Sequence, residues 1–139
     1  MVTANSDLKK NPWNNEPTSD IFTVNDSKLE FLDGTINTKY NEGSMVISNN
    51  DSIVYFTRND YTDKKLGKDS QKTTRLKLYR AYKTGNNWTD IEELPFNSSE
   101  YSVGHPALSA DGRTLYFVSD KPGGKGGTDI YKVNVLADG

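Results

Sequence analysis

Short apolar runs separated by polar turns are the dominant pattern along this chain. Two of these runs, Ile53–Thr57 and Thr114–Val118, are rich in the β-branched and aromatic residues that favour strands. Neither run alternates cleanly between apolar and polar positions, so each predicts a strand that is covered on both faces. No apolar stripe with a 3.6-residue period is long enough to predict an amphipathic helix. The pattern therefore predicts an all-β chain.

Turns and further strands surround these two runs. The segments Asn49–Ser52 and Ala110–Arg113 are turn-like, and the second contains an Asp-Gly pair, which is a strong hairpin signal. Upstream of the turns, Ser44–Ile47 and Pro106–Ser109 are predicted strands. Pro106 is expected at the strand start because proline cannot donate to a ladder.

Additional strands downstream complete a predicted four-stranded unit. A third strand is expected at Arg75–Tyr82 and again at Thr128–Val135, and a fourth at Trp88–Leu94, closed by Pro95. Four strands joined by tight hairpins describe one blade of a β-propeller.

The same pattern occurs twice at a fixed spacing. Tyr40–Asn59 aligns without a gap on Tyr101–Asp120, which lies 61 residues later. Self-similarity on this scale marks a unit that stacks on copies of itself. The identical pairs are Tyr40/Tyr101, Gly43/Gly104, Ser48/Ser109, Tyr55/Tyr116 and Phe56/Phe117. The third-strand segments match as well, at Asp20–Val24, Leu78–Arg80 and Asp129–Val133.

This register divides the chain into three parts. Residues 1–36 are predicted to be the trailing strands of a truncated blade, 37–98 a complete repeat, and 99–139 the leading strands of the next blade. A closed ring needs about four to eight blades, and this chain supplies about two and a half four-stranded antiparallel blades. The chain is therefore expected to be a propeller fragment.

The segment Ser109–Val133 resembles the TolB-type, WD-like β-propeller repeat. The resemblance extends more loosely over Tyr40–Tyr82, where Asn50 and Asp51 replace the Asp-Gly pair. The Pro-Gly-Gly-x-Gly-Gly-x-Asp loop resembles the propellers of large OmpA-family envelope proteins from gram-negative bacteria, notably gliding ones with type IX secretion. The resemblance implies structural roles for Ser109, Asp111, Gly112, Tyr116, Phe117, Asp120, Asp129 and Tyr131.

In such envelope proteins the propeller is a non-catalytic periplasmic module, and a separate C-terminal domain grips peptidoglycan. The resemblance thus implies a periplasmic location, with attachment to the outer membrane through the parent protein. The peptidoglycan-binding domain is not in this sequence. The N-terminus has no apolar stretch like a secretory signal, so the signal of an exported parent is expected outside this segment.

Composition excludes several functional classes. The chain has 139 residues, 33% of them apolar, with 17 basic and 19 acidic residues, so it carries no electrostatic footprint for nucleic acid. Cysteine is absent, which excludes disulfides and thiolate metal sites. No run of 18 apolar residues predicts a membrane-spanning helix. No cofactor motif is visible.

Three polar features have both a structural and a chemical interpretation. The glycine-rich loop at residues 122–128 is followed by a strand, and a turn is favoured over a phosphate cradle, which needs a helix there. The segment Ser109–Thr114 resembles the Asp-box of sialidase-type propellers but lacks the residue between Asp and Gly and the Trp after the Thr, so Asp111 is interpreted as a turn residue that bonds its own backbone. Asp120 and Asp129 flank the glycine loop, and hydrogen bonds to loop amides are favoured over a shared cation.

Five residues are candidates for contacts with a ligand or partner: Trp13, Trp88, His105, Lys64 and Lys65. Packing on an outer strand is favoured for both tryptophans, and a hydrogen-bonding position near the central channel is favoured for His105. The two lysines belong to a basic loop at residues 61–77, which is nine residues longer than its counterpart in the other copy. Such insertions often carry partner contacts, although charged runs are usually only solvated.

These observations lead to one functional expectation and two alternatives. We expect a non-enzymatic propeller module that acts as an interaction or scaffold element of a periplasmic envelope protein. Its expected partners are other blades of the parent chain, an envelope protein and, for the fragment, other copies of itself. The first alternative is the propeller part of a serine peptidase of the prolyl-oligopeptidase type, and the second is a glycan-binding propeller.

Overall fold

This computed structural model describes residue 10, residues 14–32 and residues 34–139. In these residues the regular secondary structure consists of short β-strands, with no helix. The all-β prediction is therefore confirmed. The strands are β1 (Phe22–Asn25), β2 (Lys28–Phe31), β3 (Glu42–Ile47), β4 (Ile53–Asn59), β5 (Tyr61–Thr62), β6 (Lys65–Leu66), β7 (Leu76–Thr84), β8 (Asn87–Glu93), β9 (Val103–Leu108), β10 (Thr114–Ser119) and β11 (Asp129–Asn134).

All strand pairs within the sheets are antiparallel. Strands β1 and β2 form the N-terminal hairpin, and β3–β4–β7–β8, in that order, form the first sheet. The second sheet has the order β11–β10–β9, and β5 with β6 forms a small inserted hairpin. Among the described residues no sheet closes on itself. Both larger sheets are up-and-down meanders, the second with one strand fewer.

Two hydrophobic clusters stack these elements into layers. One cluster joins the N-terminal hairpin to the first sheet, and the other joins the first sheet to the second, so the first sheet is covered on both faces. The first cluster contains Ile21, Leu32, Ile36, Val54, Phe56, Tyr79, Ala81 and Trp88. The second contains Tyr55, Leu78, Leu94, Val103, Leu115 and Phe117.

The two copies of the repeat are stacked in the same sense. Phe56 on β4 packs towards the N-terminal hairpin, and its counterpart Phe117 on β10 packs towards the first sheet. The Phe117 ring stacks on Phe96 at 4.5 Å and on Tyr131 at 5.7 Å. Each phenylalanine therefore faces the preceding layer, as the gapless alignment of the two copies requires.

The prediction of two covered faces is confirmed for β4 and wrong for β10. Residues Val54–Arg58 are all buried, whereas burial alternates along β10 and Tyr116 is 39% exposed. The physical reason is that no described layer lies on the outer side of the second sheet. The apolar sequence of β10 therefore includes residues on a face that no described layer covers.

A β-bulge interrupts the first strand of each sheet. Ser44 in β3 and His105 in β9 both have left-handed backbones, with φ of 35° and 56°, at shifts in strand register. Pro106 lies inside β9, beside this bulge, and not at the strand start as predicted. An irregular ladder position does not need the hydrogen-bond donor that proline lacks.

Candidate functional site

The predicted turn positions form the same hydrogen-bonded turn in both copies. In the second sheet the Asp111 carboxylate accepts hydrogen bonds from the Ser109 hydroxyl at 2.5 Å and from the Arg113 amide at 3.0 Å. These bonds, the one from Ser109 foremost, hold the pKa of Asp111 below its ordinary value. Gly112 has a φ of 70°, which suits a glycine in this turn. The Asp111 carboxylate is therefore used in hydrogen bonds within the turn.

The equivalent turn of the first sheet replaces the carboxylate with an amide. The Ser48 hydroxyl donates to Asn50 Oδ1 at 2.7 Å, and the Ser52 amide donates to the same oxygen at 3.3 Å. Asp51 takes the left-handed position with a φ of 55°. The charge of Asp111 is therefore not required for this turn geometry.

Asp120 connects the second and first strands of its sheet. Its Oδ1 accepts a hydrogen bond from the Ser102 amide at 2.6 Å, and its Oδ2 lies 3.5 Å from Arg75 Nη1. The counterpart in the first sheet is Asn59, whose Oδ1 accepts from the Asn41 amide at 3.0 Å. The same backbone-binding role thus recurs at the same repeat position.

Asp129 organises the glycine-rich loop from inside. Its Oδ2 accepts a hydrogen bond from the Gly126 amide at 3.0 Å. A Cβ on Gly124 would lie 2.0 Å from that oxygen, so a glycine is needed at this position. The loop amide that would face a phosphate in a cradle is bound by this carboxylate, which supports the turn interpretation. Across the described residues, no group of three or more His, Asp or Glu side chains is arranged to hold a metal ion.

The side chain of His105 contacts Ser44, which occupies the equivalent repeat position in the first sheet. Its Nδ1 lies 2.8 Å from the Ser44 hydroxyl, and its backbone amide donates to the Thr57 hydroxyl at 2.9 Å. The ring is exposed at the bulge of β9. The first strands of the two sheets therefore approach each other closely at this repeat position, where the neighbour of the His105 ring is a hydroxyl group.

The two tryptophan candidates have different outcomes. Trp88 is 4% exposed and packs in the cluster between the N-terminal hairpin and the first sheet. Its carbonyl oxygen accepts a hydrogen bond from the Thr35 amide at 3.2 Å. Of the two roles considered from sequence, this position supports packing and is closed to a ligand. Trp13 lies outside the described residues.

The basic insertion at residues 61–77 begins with a hairpin that the sequence did not predict. Strands β5 and β6 are joined by Asp63 and Lys64, whose φ values of 51° and 64° form a two-residue turn of the kind that suits the twist of strands. Lys64 and Lys65 are both exposed at its tip. The candidate contact residues are thus held on a short, defined projection.

A buried ion pair fastens the two ends of this insertion. Asp60 immediately precedes it, and Asp60 Oδ1 lies 2.9 Å from the Nζ of Lys77 at its other end. Lys77 Nζ also lies 3.0 Å from Glu93 Oε2, and the Ser99 hydroxyl donates to Asp60 at 2.8 Å. Burial opposes the charge of Lys77, but the hydrogen bonds to Asp60 and Glu93 prevail and raise its pKa. The insertion therefore projects from a clamped base.

The middle of the insertion is organised by a second carboxylate. Asp69 accepts hydrogen bonds from the amides of Thr73 at 2.7 Å and Gln71 at 2.9 Å, and from Arg75 Nε at 2.8 Å. The Thr73 bond is the main cause of the lowered pKa of Asp69. Such bonds fix the loop in one conformation.

A contact to the second sheet's side of the molecule holds the same loop. The Ser70 hydroxyl and amide donate to the Glu100 carboxylate at 3.0 Å and 3.1 Å respectively. Asp69 is bonded within the loop, whereas Asp63 is exposed beside Lys64. The insertion also presents exposed ammonium groups that form no ion pair among the described residues. These are Lys64, Lys65, Lys68 and Lys72.

Two asparagines with a shared structural role were missed from sequence. Asn37 binds both backbone groups of Ile21, with two bonds of 2.8 Å, and Asn97 binds both backbone groups of Leu78 at 3.0 Å and 2.6 Å. Ile21 and Leu78 occupy matching positions of the repeat. A recurring Asn-Thr or Asn-Ser pair before Tyr40 or Tyr101 was the available signal. We call Asn37 and Asn97 the asparagine clasps.

Comparison of the chain with models of protein families, with curated proteins and with solved structures found no match. In the described residues no helix is long and apolar enough to cross a membrane. Functional inference therefore depends on the arrangement of the chain's own residues.

Proposed function

We propose that this chain is a non-catalytic, protein-binding scaffold module made of TolB-type β-propeller blades, within a cell-envelope protein. The first sheet would be one complete blade and the second sheet the leading strands of the next. Support comes from the four-stranded up-and-down order of the first sheet and from the same-sense stacking of Phe56 and Phe117. The module would act in the periplasm, attached to the outer membrane through its parent protein.

One observation carries the interaction role. In the insertion at residues 61–77, Asp69 is committed to internal bonds and Asp63 is exposed, so four exposed lysines outnumber one exposed carboxylate on a clamped base. A preorganised surface loses little conformational entropy when it binds, which favours affinity. Unpaired lysines favour an acidic partner surface because complementary charge speeds and orients association. We therefore expect an acidic envelope protein to bind the inserted hairpin.

The repeated polar residues support a structural use of the remaining polar groups. Asp111, Asp120 and Asp129 each bind backbone or turn groups of their own unit. Asn50 and Asn59 do the same in the first copy. A role that recurs in each copy fits a scaffold better than a single reaction centre. No cofactor is proposed.

The alternatives receive less support. Glycan binding was based on the tryptophans, and Trp88 is buried. The peptidase alternative places the chemistry in a separate domain, and no described residue favours it.

Affinity capture from the native envelope fraction tests the interaction role. We expect wild type to retain an acidic protein that is released at about 1 M salt, where the Debye length falls to about 3 Å. Lys64→Glu combined with Lys65→Glu should weaken this binding by at least about tenfold, because the charges then repel. Lys28→Glu, an exposed change on the N-terminal hairpin, is the control and should retain the partner. Equal retention by the Lys64/Lys65 variant would exclude the inserted hairpin as the binding surface.

A further inference from the structure

Two apolar sheet faces, one at each end of the layered stack, are left open to solvent. We call Phe22, Val24, Leu29 and Phe31 the leading face. They lie on one side of the N-terminal hairpin, where Phe22 pairs with Phe31 and Val24 with Leu29. We call Tyr116, Val118 and Ile130 the trailing face. They lie on the outer side of the second sheet, where Val118 pairs with Ile130 and Tyr116 pairs with Lys132, so one lysine lies beside the three apolar side chains.

The leading face corresponds to a covered face of the first sheet. Phe22 and Val24 match Tyr79 and Ala81 in the repeat, and the asparagine clasps hold the residues before Phe22 and Tyr79 in the same way. Tyr79 and Ala81 are fully buried in the cluster that includes Ile21 and Leu32 at the base of the N-terminal hairpin, whereas Phe22 is 41% and Val24 68% exposed. The leading face is thus a repeat surface on which no described residues form a preceding layer.

The trailing face corresponds to the other covered face of the first sheet. Tyr116 matches Tyr55, and Ile130 matches Leu78. Tyr55 and Leu78 are buried by the second sheet, whereas Ile130 is 77% exposed. The trailing face is thus a repeat surface that no layer of the described residues covers.

These two faces are the two halves of an interface that the chain already builds internally. Where the hairpin meets the first sheet, and where the first sheet meets the second, a trailing-type face packs on a leading-type face. Large contiguous apolar patches on a surface mark interaction sites. Each open face is therefore complementary to a layer that carries the opposite face, and a second copy of the chain carries both kinds of face.

We propose that the leading face of one copy packs on the trailing face of a second copy, so that chains associate head to tail. The inference rests on the proposed scaffold function and names one partner of the module, another copy of this chain. The contact is heterologous, because different surfaces meet. The assembly as a whole keeps one leading and one trailing face open until it closes or is capped.

A pair of complementary variants tests this arrangement. Val24→Lys places a charge on the leading face, and Ile130→Lys places one on the trailing face. Both side chains are exposed, so the fold should tolerate them. In sedimentation velocity we expect wild type to gain mass with concentration, and each variant alone to associate at least about tenfold more weakly, because a lysine charge would be buried in the contact. Mixed in equal amounts, the two variants should form a heterodimer that grows no further, since one intact interface remains.

Controls separate this inference from its alternatives. Ala110→Lys, an equally exposed charge in a turn, should associate like wild type. Leu29→Lys is the second leading-face variant if circular dichroism shows that Val24→Lys does not fold. A wild type that stays monomeric at all concentrations would overturn the proposal, as would mixed variants that do not recover a dimer. Capture of the acidic partner by the Lys64/Lys65 surface is measured separately, so failure of self-association leaves that result intact, and the reverse holds too.

Discussion

The first and second sheets carry the same sequence pattern but are covered differently. Tyr55 and Tyr116 are identical residues at the same repeat position, and they are 2% and 39% exposed. Among the described residues, the first sheet has a layer on each side, and the second has a layer on one side only. The difference teaches that burial in a stacked array is a property of the neighbouring layers, while strand identity is a property of the local sequence.

The two sheets also differ in charge at equivalent positions. Asp60 and Lys77 form a buried ion pair in the first copy, and their counterparts Lys121 and Asp129 have the opposite signs. Lys121 is exposed, and Asp129 binds the Gly126 amide instead. The buried pair accompanies the inserted loop, which only the first copy has. The buried ion pair therefore occurs in the copy that has the inserted loop, whose two ends it joins.

The largest expected effect tests whether the covered face of the second sheet is a true core. Phe117→Ala should lower the free energy of unfolding by about 3–5 kcal/mol, because a buried stacked ring is lost and a cavity remains. Lys125→Ala, in the exposed glycine loop, should change it by about 0.5 kcal/mol or less. Denaturant midpoints measure both. Similar losses in the two variants would mean that the second sheet lacks an ordered core.

The next effect separates the sheets by their response to pH. Glu42 on the first sheet is buried, and burial raises its pKa from 4.5 to about 7, with Asp20 adding to the rise and Thr38 and Arg58 opposing it. Its counterpart on the second sheet is Val103, which does not titrate. The folded state therefore holds a proton that the unfolded state releases between about pH 4.5 and 7.

Across that window the stability of wild type should fall as pH rises, by roughly 3 kcal/mol, because each pKa unit corresponds to about 1.4 kcal/mol. Glu42→Gln keeps a hydrogen-bond acceptor for Thr38 and removes the titration, so its unfolding curve should lose most of this slope. Thermal unfolding at a series of pH values measures it. An unchanged slope in the variant would assign the pH response to other groups.

The smallest of the three effects tests the asparagine clasps. Asn97→Ala should cost about 1–3 kcal/mol, because the Leu78 amide loses its partner at a buried position. Asn37→Ala should cost a similar amount at the matching position. Asn134→Ala, exposed at the end of β11, is the control and should be nearly neutral. Chemical denaturation of all three gives the comparison, and a clasp variant no less stable than the control would contradict the shared role.

Much of the fold was predictable from sequence because strand and turn preferences are local. The gapless alignment placed Tyr55 and Tyr116 on the second strands of two consecutive meanders, as the structure has them. The β5–β6 hairpin was missed because two-residue strands leave no periodic pattern. Pro106 was misplaced because a bulge, which depends on pairing with a partner strand, removes the usual constraint on proline.

The candidate site was less predictable, since contacts across layers have no local signature. The role of Asp111 could be read from its neighbours in sequence, because an Asx turn spans only a few residues. The clamp between Asp60 and Lys77 joins residues 17 positions apart through burial that sequence does not report. The exposure of Ile130 could be expected only from the repeat register, which predicts that the last unit has no neighbour in this chain, and not from the sequence of the strand itself.

The contact between Ser44 and His105 shows how stacked repeats can place equivalent side chains next to one another. A repeat position that touches its own counterpart in the next unit will do so again in every further unit added with the same relation. The side chains at that position would then form a row through the stacked units, with one side chain from each unit. In the pair seen here, Ser44 and His105, the neighbouring side chains are within hydrogen-bonding distance. A single type of residue, substituted once per repeat, would give a ligand a multivalent row of identical groups.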